Sequence, residues 1–135
     1  MQNKNMKAIK LELREVEMFD ETWNAKLNRF DRVKQGTFFY HDATRQVLVS
    51  HFPDAPHTTE DVIHSVAIYG RIKEAMVRTG VTGPASVLLN AEEYAFLLKR
   101  LNGFRWALAH PVIVEFIQYV RNLKEVEVTE SQPSA

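Results

Sequence analysis

Cysteine is absent from this chain, and that absence excludes disulfides, thiolate nucleophiles, iron–sulfur clusters and cysteine-ligated zinc. It also fits a reducing compartment. Net charge is absent too: 17 basic side chains balance 17 acidic ones. No global field draws the molecule to nucleic acid or an anionic membrane, so any such binding has to be local. No run approaches the ~18 apolar residues that a bilayer span requires, and the opening MQNKNMKAIK has no apolar segment of signal-peptide length. The expectation is a cytoplasmic protein. Glycine is scarce, and its five copies stand singly, which leaves no phosphate-cradling loop of the P-loop or Rossmann type. No serine lies in a GxSxG setting. There is no internal repeat and no low-complexity block.

What is present is apolar surface. A 135-residue chain that is 45% hydrophobic is the size of one domain with one core; residues 1–125 are read as that domain and 126–135 as a polar tail. The stretch Ala85–Leu123 organises the rest. ASVLLN reads as a short buried strand. In the segment after it, Tyr94, Leu97, Leu98 and Leu101 fall at i, i+3, i+4 and i+7, one face of a helix. Asn90 with Glu93 makes a relative of the capping box that fixes its start, and Asn102-Gly103 ends it. Pro111 opens a last helix with Ile113, Phe116, Ile117 and Val120 on one stripe.

Upstream, Ala8–Val16 mixes apolar and charged residues as a half-exposed edge strand does. Trp23, Leu27 and Phe30 at i, i+4 and i+7, after a possible N-cap at Asp20 and before Gly36, predict a helix. Residues 37–52 carry two β-rich runs around DATR and predict a hairpin apolar on both faces. Prolines 53 and 56 mark a connection. From Thr58 or Thr59 a long helix is predicted to bury Val62, Val66, Tyr69, Ile72 and Met76, widened by Ile63 and Ala67, and to close at Gly80. Val126 onward begins with an alternating stretch that suits a last strand. The sum is an α+β domain: a small, largely antiparallel sheet with three to four helices packed on it.

Side chains capable of chemistry have plainer readings. Five histidines occur, at 41, 51, 57, 64 and 110, with no HExxH or other short-spaced ligand pair, so structural or surface roles are preferred and no metal or cofactor is assigned. The acidic pairs Glu60-Asp61 and Glu92-Glu93 sit in first helical turns, where unpaired N–H groups favour negative charge without catalysis. No catalytic residue is named, and the expectation is a protein that is not an enzyme. Two surfaces suit protein binding. One is the apolar hairpin with Phe38, Tyr40, Val47 and Val49, which also suits a homodimer; the other is the Phe104, Arg105, Trp106 connection. The alternative is a nucleic-acid-binding regulator, in which Lys26, Arg29, Arg32 and Lys34 supply charge beside the aromatic Phe39.

The pattern VLLNAEEYAFLLKRLNGFRWALAHPVIVEFIQYV, with Lys7–Leu13 (KAIKLEL) and Thr59–Met76, resembles small accessory proteins of tailed bacteriophages over a little more than half the chain. The matching residues are those of fold and caps, and His41–His57 stands outside the pattern. The resemblance implies a non-enzymatic phage factor that acts in virion assembly or binds a host protein.

Overall fold

In the computed structural model, which describes residues 5–50, 56–78 and 85–129, nine elements follow one another. They are β1 (Asn5–Leu13), β2 (Glu15–Asn24), β3 (Arg29–Phe39), α1 (Tyr40–Val49), α2 (Thr59–Val77), β4 (Ala85–Leu89), α3 (Ala91–Gly103), α4 (Pro111–Arg121) and β5 (Glu125–Thr129). The class is α+β, with one three-stranded antiparallel sheet in the order β4-β1-β5 and a separate two-stranded sheet, β2-β3. β1 is therefore the central strand of its sheet and not an edge. Its alternation arises because only one face is covered: Ile9, Leu11 and Leu13 are buried while Lys7 and Lys10 are exposed. Residues 126–129 do form a strand, so the sheet runs past residue 125.

The core lies on the inner face of β1 and β4, where Val87 and Leu89 join the β1 side chains against residues from all four helices. Phe116, fully buried on α4, takes Phe38, Tyr40 and Trp106 edge-on at centroid distances of 5.7, 4.9 and 6.1 Å. α3 begins with the expected capping box: Asn90 Oδ1 accepts from the Glu93 N–H at 2.8 Å, and Glu93 Oε1 accepts from the Asn90 N–H at 2.9 Å. The buried Glu93 carboxylate also receives Arg71 of α2 as a two-pronged ion pair, and the same guanidinium reaches the Leu88 carbonyl at 2.7 Å. One arginine thus joins α2, β4 and α3. Burial alone pushes the Glu93 pKa up; the Arg71 hydrogen bonds and the Asn90 N–H outweigh it and hold the carboxyl below its ordinary value. A second capping box, Thr58 with Asp61, starts α2, and the Thr58 backbone N–H holds Asp61 below its ordinary value in the same way.

Three further expectations from the sequence are corrected. Residues 20–36 form no helix; they are the greater part of a β-hairpin, since Trp23 pairs with Phe30 and Asn24 with Arg29 across a four-residue turn. A separation of seven residues fits two helical turns and equally a crossing of this turn. The second correction concerns the hairpin expected over residues 37–52, of which 51 and 52 lie outside the described residues: β3 ends at Phe39 and α1 follows, burying Tyr40, Ala43, Thr44, Val47 and Leu48 at i, i+3, i+4, i+7 and i+8. The third concerns α2, which turns Asp61, Ser65, Ile68 and Ile72 inward. Of the stripe expected to be buried, only Ile72 is. Val62, Ile63 and Val66 face solvent, Val66 at 65% exposure. Gly80, expected to close that helix, and Pro53 lie outside the described residues.

Candidate protein-docking surface

The local sequence explains why β2 and β3 make an arm. Asn24 Oδ1 accepts from the backbone N–H groups of Lys26 and Leu27 at 3.1 and 3.2 Å, an Asx turn that starts the reversal, while its Nδ2 donates to Asp31 at 2.7 Å. Asn28 completes the reversal at φ +52°, a left-handed conformation that asparagine tolerates. Lower down, the register slips between Met18 and Phe19, leaving Gln35 as the extra residue of a bulge. Gly36 sits beside it at φ +147°, where a side chain would be strained.

At its root the arm is anchored. Val16 and Phe38 pack on the core, the Tyr40 N–H donates to the Arg14 carbonyl at 2.9 Å, and His110 ties β2 to α4. His110 Nδ1 accepts from the Val112 N–H at 3.1 Å as the N-cap of α4. Its Nε2 must then carry the proton, and it donates to the Phe19 carbonyl at 3.0 Å. Beyond Phe19 the arm has solvent on both faces, with only Asn24, Asp31 and Gly36 half-buried between residues 20 and 36. The free part, Asp20–Asn24 in one strand, is about 17 Å long at ~3.3 Å per residue.

Trp23 and Phe30 face each other across the tip, edge to face with centroids 5.1 Å apart, and they remain 50% and 62% exposed; Leu27 in the turn is 56% exposed. Three large apolar side chains in water at the end of a narrow arm contribute little to a core. A two-stranded ribbon is itself marginal in water. Arg32 lies over the Phe19 ring at 3.7 Å, Lys34 pairs with Glu17 at 3.2 Å and Arg29 with Asp31 at 3.0 Å. Residues 15–39 hold five acidic and four basic side chains, so the arm has no excess of positive charge.

A groove lies at the foot of the arm. It has a volume of about 940 Å³ and runs between residues 106–110 and α4, with Trp106, Leu108, Pro111, Ile113, Val114 and Ile117 in its walls and Glu115 among its lining residues. Phe104 stacks edge-on to Trp106 at 4.5 Å, and both are half-buried against the core, while Arg105 and Leu108 are exposed. His110 and Pro111 belong both to this groove and to the cleft at the arm root.

The residues proposed from sequence fall into three places. Phe38, Tyr40 and Val47 are core or packed on it, because residues 40–49 form a helix and not a two-sided strand; they offer no docking face, and only Val49 of that set is exposed. Of Phe104, Arg105 and Trp106, Trp106 lines the groove, Phe104 packs edge-on against it and Arg105 is exposed. Lys26, Arg29, Arg32 and Lys34 lie on the arm and not on a helix, with Phe39 at its root. Sequence reasoning missed Trp23, Leu27 and Phe30 as surface residues; the signal was Asn24 and Asn28 bracketing a turn, with glycine at 36.

Among the described residues no three histidine, aspartate or glutamate side chains converge as metal ligands would, and no helix is long and apolar enough to cross a membrane. His57 reaches the Ser50 carbonyl at 3.0 Å, while His64 and His41 lie against Phe96 and Phe39 with ring centroids 5.4 Å apart in each case. No family model, no curated protein and no solved structure matches the chain.

Proposed function

We propose that this chain is a protein-interaction module whose working surface is the tip of the β2-β3 arm together with the groove at its foot. The observation that carries the reading is the solvent exposure of Trp23, Leu27 and Phe30 on the outer part of the arm, which has solvent on both faces. Aromatic anchors that are exposed in the free protein and flanked by charge are what protein interfaces bury. The balance of acids and bases on the arm, with Arg29 and Lys34 already paired to carboxylates, supports a protein partner over a phosphate backbone. The finer form of the proposal, an accessory factor of a tailed phage acting in virion assembly or on a host protein and itself no catalyst, rests on the resemblance of the strand–cap–helix segments.

The test is affinity purification from the native context with the wild-type chain and with the double variant Trp23→Ser/Phe30→Ser. A partner retained by the first and lost by the second is expected. Identical sets of bound proteins from two folded baits would remove the arm from the proposal.

A further inference from the structure

The tip and the groove differ in sign and in shape. The tip is convex and apolar with a cation, Lys26, in its turn; the groove is concave and apolar, with the carboxylate of Glu115 among its lining residues. Among the described residues neither Lys26 nor Glu115 belongs to an ion pair. The groove adjoins the root of its own arm, through His110 and Pro111, and the arm's free part is about 17 Å long. Two arms laid side by side in opposite directions place each tip beside the root of the other arm, the end of the arm that the other chain's groove adjoins. A molecule carrying both halves of a contact in this relation closes it with a two-fold axis.

The geometry points to a second copy of this chain as the occupant of the groove: a homodimer in which each arm tip seats in the groove of the other protomer, with Lys26 of one against Glu115 of the other. The inference rests on the reading of the arm as a docking element and names its partner. The area is that of a weak contact. Trp23, Leu27 and Phe30 each leave on the order of 100 Å² exposed, about 300 Å² per tip. Two tips bury about 600 Å² and the shallow grooves that receive them less, so the whole stays under the ~1,200 Å² of a stable specific interface and in the range of weak, reversible ones. Contact of that size predicts a dimer that dissociates on dilution.

The chain has no cysteine, so single cysteines report contacts without background. Leu27→Cys and Val114→Cys chains are mixed and treated with a short bismaleimide, while sedimentation velocity follows the wild-type, Lys26→Glu, Glu115→Lys and Lys26→Glu/Glu115→Lys chains. The expected result is a cross-linked dimer from the mixture that neither single variant forms alone. Each charge reversal weakens the dimer by about tenfold, and the double reversal recovers the loss. A wild-type chain that stays monomeric up to about 300 µM overturns the inference. So does a dimer in which Leu27→Cys links only to itself, or in which the double reversal is as weak as the singles. A monomer that still captures a foreign protein through Trp23 and Phe30 overturns the second copy as occupant and leaves the docking function standing.

Discussion

Replacing Phe30 by serine separates a docking residue from a core residue. Phe30 is 62% exposed and meets Trp23 edge to face, so of the roughly 200 Å² that a phenylalanine can bury it covers about 75 Å². At ~25 cal/mol per Å² that is at most about 2 kcal/mol, and the part of that contact surviving in a compact unfolded chain brings it nearer 1 kcal/mol. Phe116 is 1% exposed, and its replacement by alanine costs about 4 kcal/mol, transfer and cavity together. Unfolding entropy for 135 residues is about 0.28 kcal/mol per kelvin. The two changes therefore lower the midpoint of thermal unfolding by about 4 °C and about 14 °C. Thermal melts followed by far-ultraviolet circular dichroism read both. If Phe30→Ser costs as much as Phe116→Ala, the arm is part of the folding unit and its aromatic face is not held in reserve for a partner.

Other outcomes follow from named contacts. Glu93→Gln keeps a capping residue at the third helical position but loses the charge opposite Arg71, for a loss of about 2 kcal/mol, while Glu93→Ala loses the cap as well and costs about 3 kcal/mol by denaturant titration. Glu93 and Asp61 are both held below their ordinary values of 4.5 and 3.8. The stability they contribute is complete above about pH 4.5 and falls as pH drops through their folded values. Glu93→Gln therefore flattens the acid limb of a stability-against-pH curve, and an unchanged slope counts against the sign. His110→Ala removes both the α4 cap and the tether to Phe19; amide hydrogen exchange quickens across β2 while β1 and β4 keep their protection. Gel shifts at low salt with single- and double-stranded DNA and RNA show no complex, because the arm's cations are balanced by its own carboxylates.

Much of the fold is legible in the sequence where one period has one interpretation. Asn90 and Glu93 announce the start of α3, Pro111 that of α4, and the stripes Leu97–Leu101 and Ile113–Phe116–Val120 face the core as their spacing requires. The reading fails where two geometries share a spacing. Trp23 and Phe30 are seven apart, two turns of helix or opposite positions of a hairpin closed by four residues, and only the asparagines at 24 and 28 decide between them. Tyr40–Leu48 has the helical period but β-favouring composition, and the period won because that face covers Phe116 and the inner sheet. α2 misleads for a different reason. Its buried stripe includes Asp61 and Ser65, made acceptable inside by the Thr58 cap and by a hydrogen bond from Ser65 Oγ to the Leu48 carbonyl at 3.0 Å. The greasier side consequently faces out. The candidate surface was legible only in part: Trp106, one of the three connection residues singled out from the sequence, lines the groove, but the arm tip was hidden by the helical reading of residues 20–36.

The most direct test of an arm that docks onto protein is a photoactivatable amino acid at Leu27, the turn residue of the tip, irradiated in the native cellular context, with the same group at the exposed Lys10 of β1 as control. The account predicts one discrete covalent product with a protein, a second copy of the chain or another, formed from position 27 and not from position 10. The same diffuse background from both positions would contradict it.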